Sequence, residues 1–223
     1  MLTVSAYEDE WTLSTYLSYD EPMSPRDGGP TRSAIVAAAS ALLESGGPEA
    51  VTLRSVGAAA GVSRSAAYRH FEDKTDLFAA LALETLTALA ASIRNSATRT
   101  GTRSPLHRGC RAYVDYAVAH PHHYLLIFGD APQAKPSHEI EMAADDGMQA
   151  LGELVKHAQE NGELGGGPPR EVATVLWALL HGLAQLQITG HLHEPRTIEG
   201  DAGLHKLLSV ALAALCPADT AES

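Results

Sequence analysis

Arg54, Arg64, Arg69 and Lys74 are interleaved with hydroxyls at Thr52, Ser63 and Ser65, a phenol at Tyr68 and an imidazole at His70. All lie in one short stretch, VTLRSVGAAAGVSRSAAYRHFEDKT, from Val51 to Thr75. Arginine and short hydroxyl side chains pair with base edges, whereas lysine, tyrosine and backbone N–H groups hold phosphate oxygens. The chemistry on offer is recognition of a duplex. Catalytic signals are missing: the chain has no HExxH, no CxxC, no phosphate loop and no nucleophile elbow.

Two short helices must position these groups. Thr52 is an N-cap, and Leu53, Val56 and Ala60 follow at helical spacing on one face. Gly61 stands where a left-handed turn residue is needed. Val62 plugs the gap between the helices. Ser63 caps a second helix through Tyr68 to about His70, with Ala67 and Phe71 inward and Arg64, Ser65, Tyr68 and Arg69 outward. A helix, a glycine turn and a short basic helix make a helix-turn-helix, whose second helix fits the major groove.

GVSRSAAYRHFEDKTDLFAAL resembles the DNA-binding signature of the tetracycline-repressor (TetR) family of bacterial regulators, running from a helix at Thr31 through Gly61 to Tyr68, Phe71, Lys74 and Leu77. The resemblance implies that Arg64 and Ser65 reach base edges and that Arg54 works at the groove margin. Thr52, Tyr68, His70 and Lys74 would hold phosphates, with Ser63 and Arg69 on the same face. Ala66 and Ala67 depart from the family pattern and leave fewer base-reading groups. Trp177, His181 and Gly182 stand as WxxxHG, and His120-Pro121 is followed by Tyr124 and Phe128. These resemble the C-terminal domain called WHG in the same family. The implied body senses a ligand and dimerises through its last two helices.

The net charge of −11 is unevenly spread. Residues 1–25 carry five acids and no Lys or Arg, residues 26–76 carry six of each sign, and the remainder is acidic. Thr52–Lys74 holds four bases against Glu72 and Asp73. A protein that touches DNA through one face needs only that face positive, so the acidic body is compatible with a DNA partner. It suits an architectural DNA-binding protein less well, since that needs broad positive charge.

The pattern predicts an all-α fold in four parts: an acidic arm over 1–29, a helix-turn-helix domain over 30–76, a helical sensing and dimerisation domain over 77–216, and a frayed tail over 217–223. Met23 is a candidate start, and no signal peptide or membrane-length apolar run is evident, which points to the cytoplasm. Thr31 begins the first helix, which Gly46-Gly47-Pro48 ends. Asp73 or Thr75 caps a long fourth helix, the only covalent link from head to body. Arg94–Pro105 reads as loop, followed by helices near 106–120, 122–129, 138–161, 170–190 and 199–215, with a mobile loop over 130–137 and a linker at 162–169. The last helix carries Leu204, Leu207, Leu208, Leu212 and Leu215. Little else covers it in a monomer, so pairing with a second copy follows.

Tyr113, Tyr116, Phe128, Trp177 and His181 are the candidate ligand-binding residues. Trp177 and His181, four apart, share a helix face. They are either a pocket wall for an apolar or aromatic effector with one polar group, or a core tryptophan beside a satisfied histidine. Cys110 and Cys216 read as small buried hydrophobes, with a redox switch as the alternative. His120, His122 and His123 cluster and His191-x-His193 is a pair, but HPHH sends neighbours to different sides of a turn. No metal site, cofactor or enzymatic activity is therefore expected. The function predicted is a repressor that binds a near-palindromic operator as a homodimer and is released by a small molecule. An effector-free architectural protein and a histidine/zinc hydrolase are the alternatives.

Overall fold

The computed structural model describes residues 28–129, 137–192 and 200–215. Among them are nine helices and no strand: α1 (Gly28–Ala50), α2 (Leu53–Ala59), α3 (Arg64–His70), α4 (Lys74–Thr98), α5 (Pro105–Ala119), α6 (Pro121–Phe128), α7 (His138–Glu160), α8 (Pro169–Ile188) and α9 (Gly200–Ala214). The all-α expectation is met. The acidic arm apart from Gly28 and Gly29, the 130–137 loop apart from Ser137, His193, Cys216 and the tail lie outside the described residues.

Local capping chemistry sets most boundaries. Thr52 accepts from the Ser55 N–H while the Ser55 hydroxyl accepts from the Thr52 N–H, a reciprocal box closed by serine. The Ser63, Asp73, Ser104 and Ser137 side chains each accept from the backbone three residues on. Gly61 takes φ 67 at the turn between α2 and α3. Helix α1 begins at Gly28, earlier than Thr31, and breaks at Gly47 (φ 66), followed by one helical turn through Pro48.

Two boundaries differ from expectation. Helix α4 runs on to Thr98, so the segment read as loop from Arg94 is helical for one more turn. The Arg94 guanidinium grips Asp146 of α7 at 2.7 and 2.8 Å, and Ala97 is buried, so packing overrides a polar sequence. Helices α4 and α8 are also each long and apolar enough to cross a membrane by length and composition, contrary to the reading of the sequence. Core helices of water-facing proteins pass the same test, and α4 is enclosed by α1, α5, α6 and α7.

Two apolar cores result. The head core joins Ile35, Val36, Ala39 and Leu43 of α1 to Val56, Ala67, Phe71, Leu77, Phe78 and Leu81. The body core joins Leu89 and Ile93 of α4 to α5, α7, α8 and α9. Helix α4 belongs to both, but it is not the only coupling element. Leu126 of α6 sits in the head core while its near neighbour Tyr124 sits in the body core.

Helix α9 is less bare than its sequence predicts. Leu204, Leu208 and Leu212 are buried within the same chain. The uncovered apolar groups are Val210 at 59% exposure, with Val175 at 60% and Leu186 on α8. Cys110 is buried, which pushes its thiol up to about 12 and makes it the inert hydrophobe expected.

Candidate nucleic-acid interface and sensing cavity

Helix α3 presents the expected face. Ala66 and Ala67 are buried against the head, while Arg64, Ser65, Tyr68 and Arg69 are exposed. Because both alanines point inward, neither removes a reading group. The Ser63 hydroxyl accepts from the Ala66 N–H at 3.2 Å and lies 3.0 Å from the Ser65 hydroxyl, so it is an integral part of the turn. The Arg64 guanidinium stacks 5.4 Å above the Tyr68 ring, which holds an otherwise flexible side chain upright on the exposed face. Arg54 and Thr52 are exposed at the start of α2, although the Thr52 hydroxyl is already shared with Ser55. His70 is half-buried.

Lys74 has a role its sequence did not reveal. Its ammonium donates to the Pro48 carbonyl at 2.7 Å and lies 5.0 Å above the Phe78 ring. It ties the start of α4 to the last turn of α1, beyond the break at Gly47, with two N–H donors left over. Arg32 is a basic group that sequence reasoning passed over: it stacks 5.1 Å from the Phe71 ring at the end of α3. Its position one helical stripe away from the α1 core residues is the signal that could have found it.

The body has a partly open cavity of about 890 Å³ between α4, α5, α6, α7 and α8. Leu86, Leu89, Ile93, Tyr113, Phe128, Leu151 and Trp177 supply its apolar wall. Asp145, Gln149, Glu153, Lys156, Arg170 and Thr174 supply polar groups. Of the five residues expected to bind a ligand, Tyr113, Phe128 and Trp177 line this cavity. The α7 contribution was missed, although Asp145, Gln149, Gly152 and Lys156 recur at steps of three and four, a helical stripe.

His181 stands behind the wall. Its Nδ1 lies 2.7 Å from the Tyr124 hydroxyl, which lies 2.9 Å from the Tyr113 hydroxyl. Burial lowers the pKa of His181 and raises those of Tyr113 and Tyr124, so all three are neutral near pH 7. With the ring protonated at Nε2, Nδ1 accepts from the Tyr124 hydroxyl, whose oxygen then accepts from Tyr113. Phe128 packs on this group from one side, 4.9 Å from Tyr124 and 5.3 Å from His181, and Trp177 lies 5.6 Å from His181. Trp177 thus borders the cavity, while His181 is a hydrogen-bonded histidine beside it.

Tyr116 is not part of this wall. It lines a separate cavity of about 380 Å³ between α1, α4, α5 and α6, with Ser40, Glu44, Glu84, Thr85, His120 and His123. Burial, with Glu44 nearby, raises its pKa. In the HPHH segment, His122 turns away, its ring 3.3 Å from where a Cβ on Gly47 would stand. His120 and His123, however, turn together toward Glu44 of α1, which the sequence reading did not bring into the cluster.

A basic, capped recognition helix on a small head, carried by a helical body with its own cavity, defines a helix-turn-helix DNA-binding regulator. Residues 35–81 match the family model described as bacterial regulatory proteins, tetR family, and residues 106–211 match one described as Tetracyclin repressor-like, C-terminal domain. The chain belongs to the TetR family of transcription regulators. A solved protein of unknown function from Rhodococcus sp. RHA1 is 28% identical, with a TM-score of 0.70, over 86% of this chain and 96% of that one. A TetR-family transcriptional regulator from Pectobacterium atrosepticum is 18% identical, with a TM-score of 0.66, over 86% and 97%. The complex of SmeT with triclosan is 20% identical, with a TM-score of 0.55, over 87% and 95%. The last two are likenesses of fold. A comparison with curated proteins finds no match.

Proposed function

We propose that this chain is a cytoplasmic repressor that binds a near-palindromic operator as a homodimer and leaves it when a small apolar or aromatic molecule enters the body. The observation that carries this reading is the cavity of about 890 Å³ whose wall includes Tyr113 of α5 and Phe128 of α6, both in contact with Tyr124 of α6. Arg64 and Ser65 on α3 would read bases, with Arg69 on the same face, Arg54 would work at the groove margin, and Thr52, Tyr68, His70 and Lys74 would hold phosphates. The Trp177 side of the cavity offers an aromatic plate, the Tyr113 hydroxyl one polar partner, and α7 and α8 add charged groups. A protein of the same fold is solved with triclosan, which supports an aromatic effector.

The uncovered apolar groups of α8 and α9 support pairing with a second copy, and Gly182 has open space where a Cβ would stand, so a partner helix can approach closely there. Such a pair sets two recognition helices for half-sites about 34–36 Å apart. An effector that displaces Tyr113 and Phe128 would shift α6 against α1 as well as α4. It changes operator affinity only to the extent that it binds the two arrangements unequally. Fluorescence anisotropy with inverted-repeat oligonucleotides from the promoters of neighbouring genes tests the reading. Preference over scrambled sequence, lost on adding the effector, supports it; equal binding to every duplex at moderate salt refutes it.

A further inference from the structure

The seam between head and body holds three metal-ligating groups from two helices and the corner before one of them. Oε2 of Glu44 on α1 lies 2.9 Å from Nδ1 of His123 on α6 and 3.5 Å from Nδ1 of His120, the residue joining α5 to α6. One ligand atom from each of the three lies within 4.8 Å of the others. Two donors bound to one tetrahedral zinc, each at about 2.0–2.1 Å, stand about 3.3 Å apart. The separations to Glu44 bracket that value.

His123 is the unusual member. It is only 8% exposed, and its Nδ1 makes no well-directed hydrogen bond despite the nearby carboxylate. Its other nitrogen, Nε2, lies 2.9 Å from the Ser40 hydroxyl. When Nδ1 sheds its proton, the ring donates from Nε2 to Ser40 and sets the Nδ1 lone pair beside the Glu44 carboxylate, and a cation between the two takes the place of that proton. A hydrogen bond from the far ring nitrogen is also how metal-bound histidines are held in orientation. The adjoining cavity of about 380 Å³ leaves room for water in the remaining coordination position, and Glu84 of α4 borders it with a further carboxylate.

We propose that Glu44, His120 and His123 form a binding site for a zinc-type divalent cation that clamps the reading head to the body. Two imidazoles and one carboxylate suit zinc, cobalt and nickel rather than magnesium or calcium, which prefer all-oxygen sets. The ion would join α1 to α6 across the same seam that effector binding must move, so metal and effector would act on one hinge. The metal site stands on its own geometry; its effect on DNA rests on the regulator reading above.

The test is titration of chelator-treated, tag-free full-length protein with Co²⁺, followed by visible absorption, and with Zn²⁺ by calorimetry. One ion per chain is expected. Glu44→Gln, at an exposed position, and His123→Ala should each weaken binding by at least roughly tenfold, and Ser40→Ala by about 10–100-fold if it orients the ring as other such partners do. His138→Ala, at an exposed histidine remote from the seam, should leave binding unchanged. No stoichiometric binding by the unaltered chain, or binding that survives both Glu44→Gln and His123→Ala, overturns the site. A metal-bound chain whose operator affinity matches that of the metal-free chain overturns the clamp while leaving the site. A chain that binds metal as expected but no operator in either state overturns the regulator reading instead.

Discussion

The Tyr124 hydroxyl lies 2.7 Å from Nδ1 of His181, joining α6 to α8 beneath the wall of the large cavity. Tyr124 is fully buried and its hydroxyl also meets that of Tyr113 at 2.9 Å. Tyr124→Phe keeps the ring and deletes the middle of this chain, leaving two polar groups without their partner. The cost should be about 1–3 kcal/mol of unfolding free energy. Urea denaturation followed by circular dichroism measures it. An unchanged midpoint would mean that water replaces the lost hydroxyl and that the chain has no structural weight.

The same histidine makes a prediction about pH. Burial holds the pKa of His181 below the ordinary 6.5, and burial, with Arg103 and Arg111 adding to it, does the same for His107. Below that ordinary value the unfolded chain takes up protons that the folded chain resists. Their contribution to stability is therefore intact above 6.5 and is lost as pH falls toward the depressed values. His181→Asn can still accept from Tyr124 but cannot titrate. Its stability should decline less steeply than that of the unaltered protein between neutral and mildly acidic solution. Parallel declines in the two proteins would show that His181 does not contribute.

The reading head was legible in the sequence because its determinants are local. A cap such as Thr52 or Ser63 acts within one turn, and Gly61 answers a backbone requirement at its own position. The body was less legible because its sites are assembled across long separations. Tyr113 and Tyr116 are three residues apart on α5 and were read as one wall, yet the step around the helix sends the first to the large cavity and the second to the α1 seam. Glu44 joins His120 and His123 only because α6 packs on α1, a contact no spacing rule contains. The extra turn from Arg94 depends likewise on Asp146 of α7, which local helix propensity does not register.

The exposed apolar stripe gives a test of assembly. Val175 is 60% exposed on α8, and a Cβ on Gly182 of the same helix would meet nothing in its own chain. Val175→Arg and Gly182→Leu should leave the monomer's thermal unfolding nearly unchanged but convert the dimer to monomer in light scattering at micromolar concentration. Operator affinity should fall with it, because paired half-sites are no longer bridged. A chain that is already monomeric before substitution would remove the two-fold model altogether.

On the proposed reading, Arg64 reads bases and Lys74 holds a phosphate, so their substitutions should have different effects. Arg64 is exposed and stacked on Tyr68, so Arg64→Ala should relax base preference and cost about 1–3 kcal/mol if the contact is bidentate. Lys74 is anchored to Pro48, so Lys74→Ala has two consequences. The lost charged hydrogen bond should lower stability by about 1.5–3 kcal/mol. The lost phosphate contact should weaken every sequence alike and flatten the salt dependence by about one unit of log–log slope. Lys74→Arg can restore the anchor and the charge together, so it should recover both. If Lys74→Ala changes base preference while the salt slope stays fixed, the roles of the two side chains are exchanged, and the head docks on DNA with the start of α4, rather than α3, toward the bases.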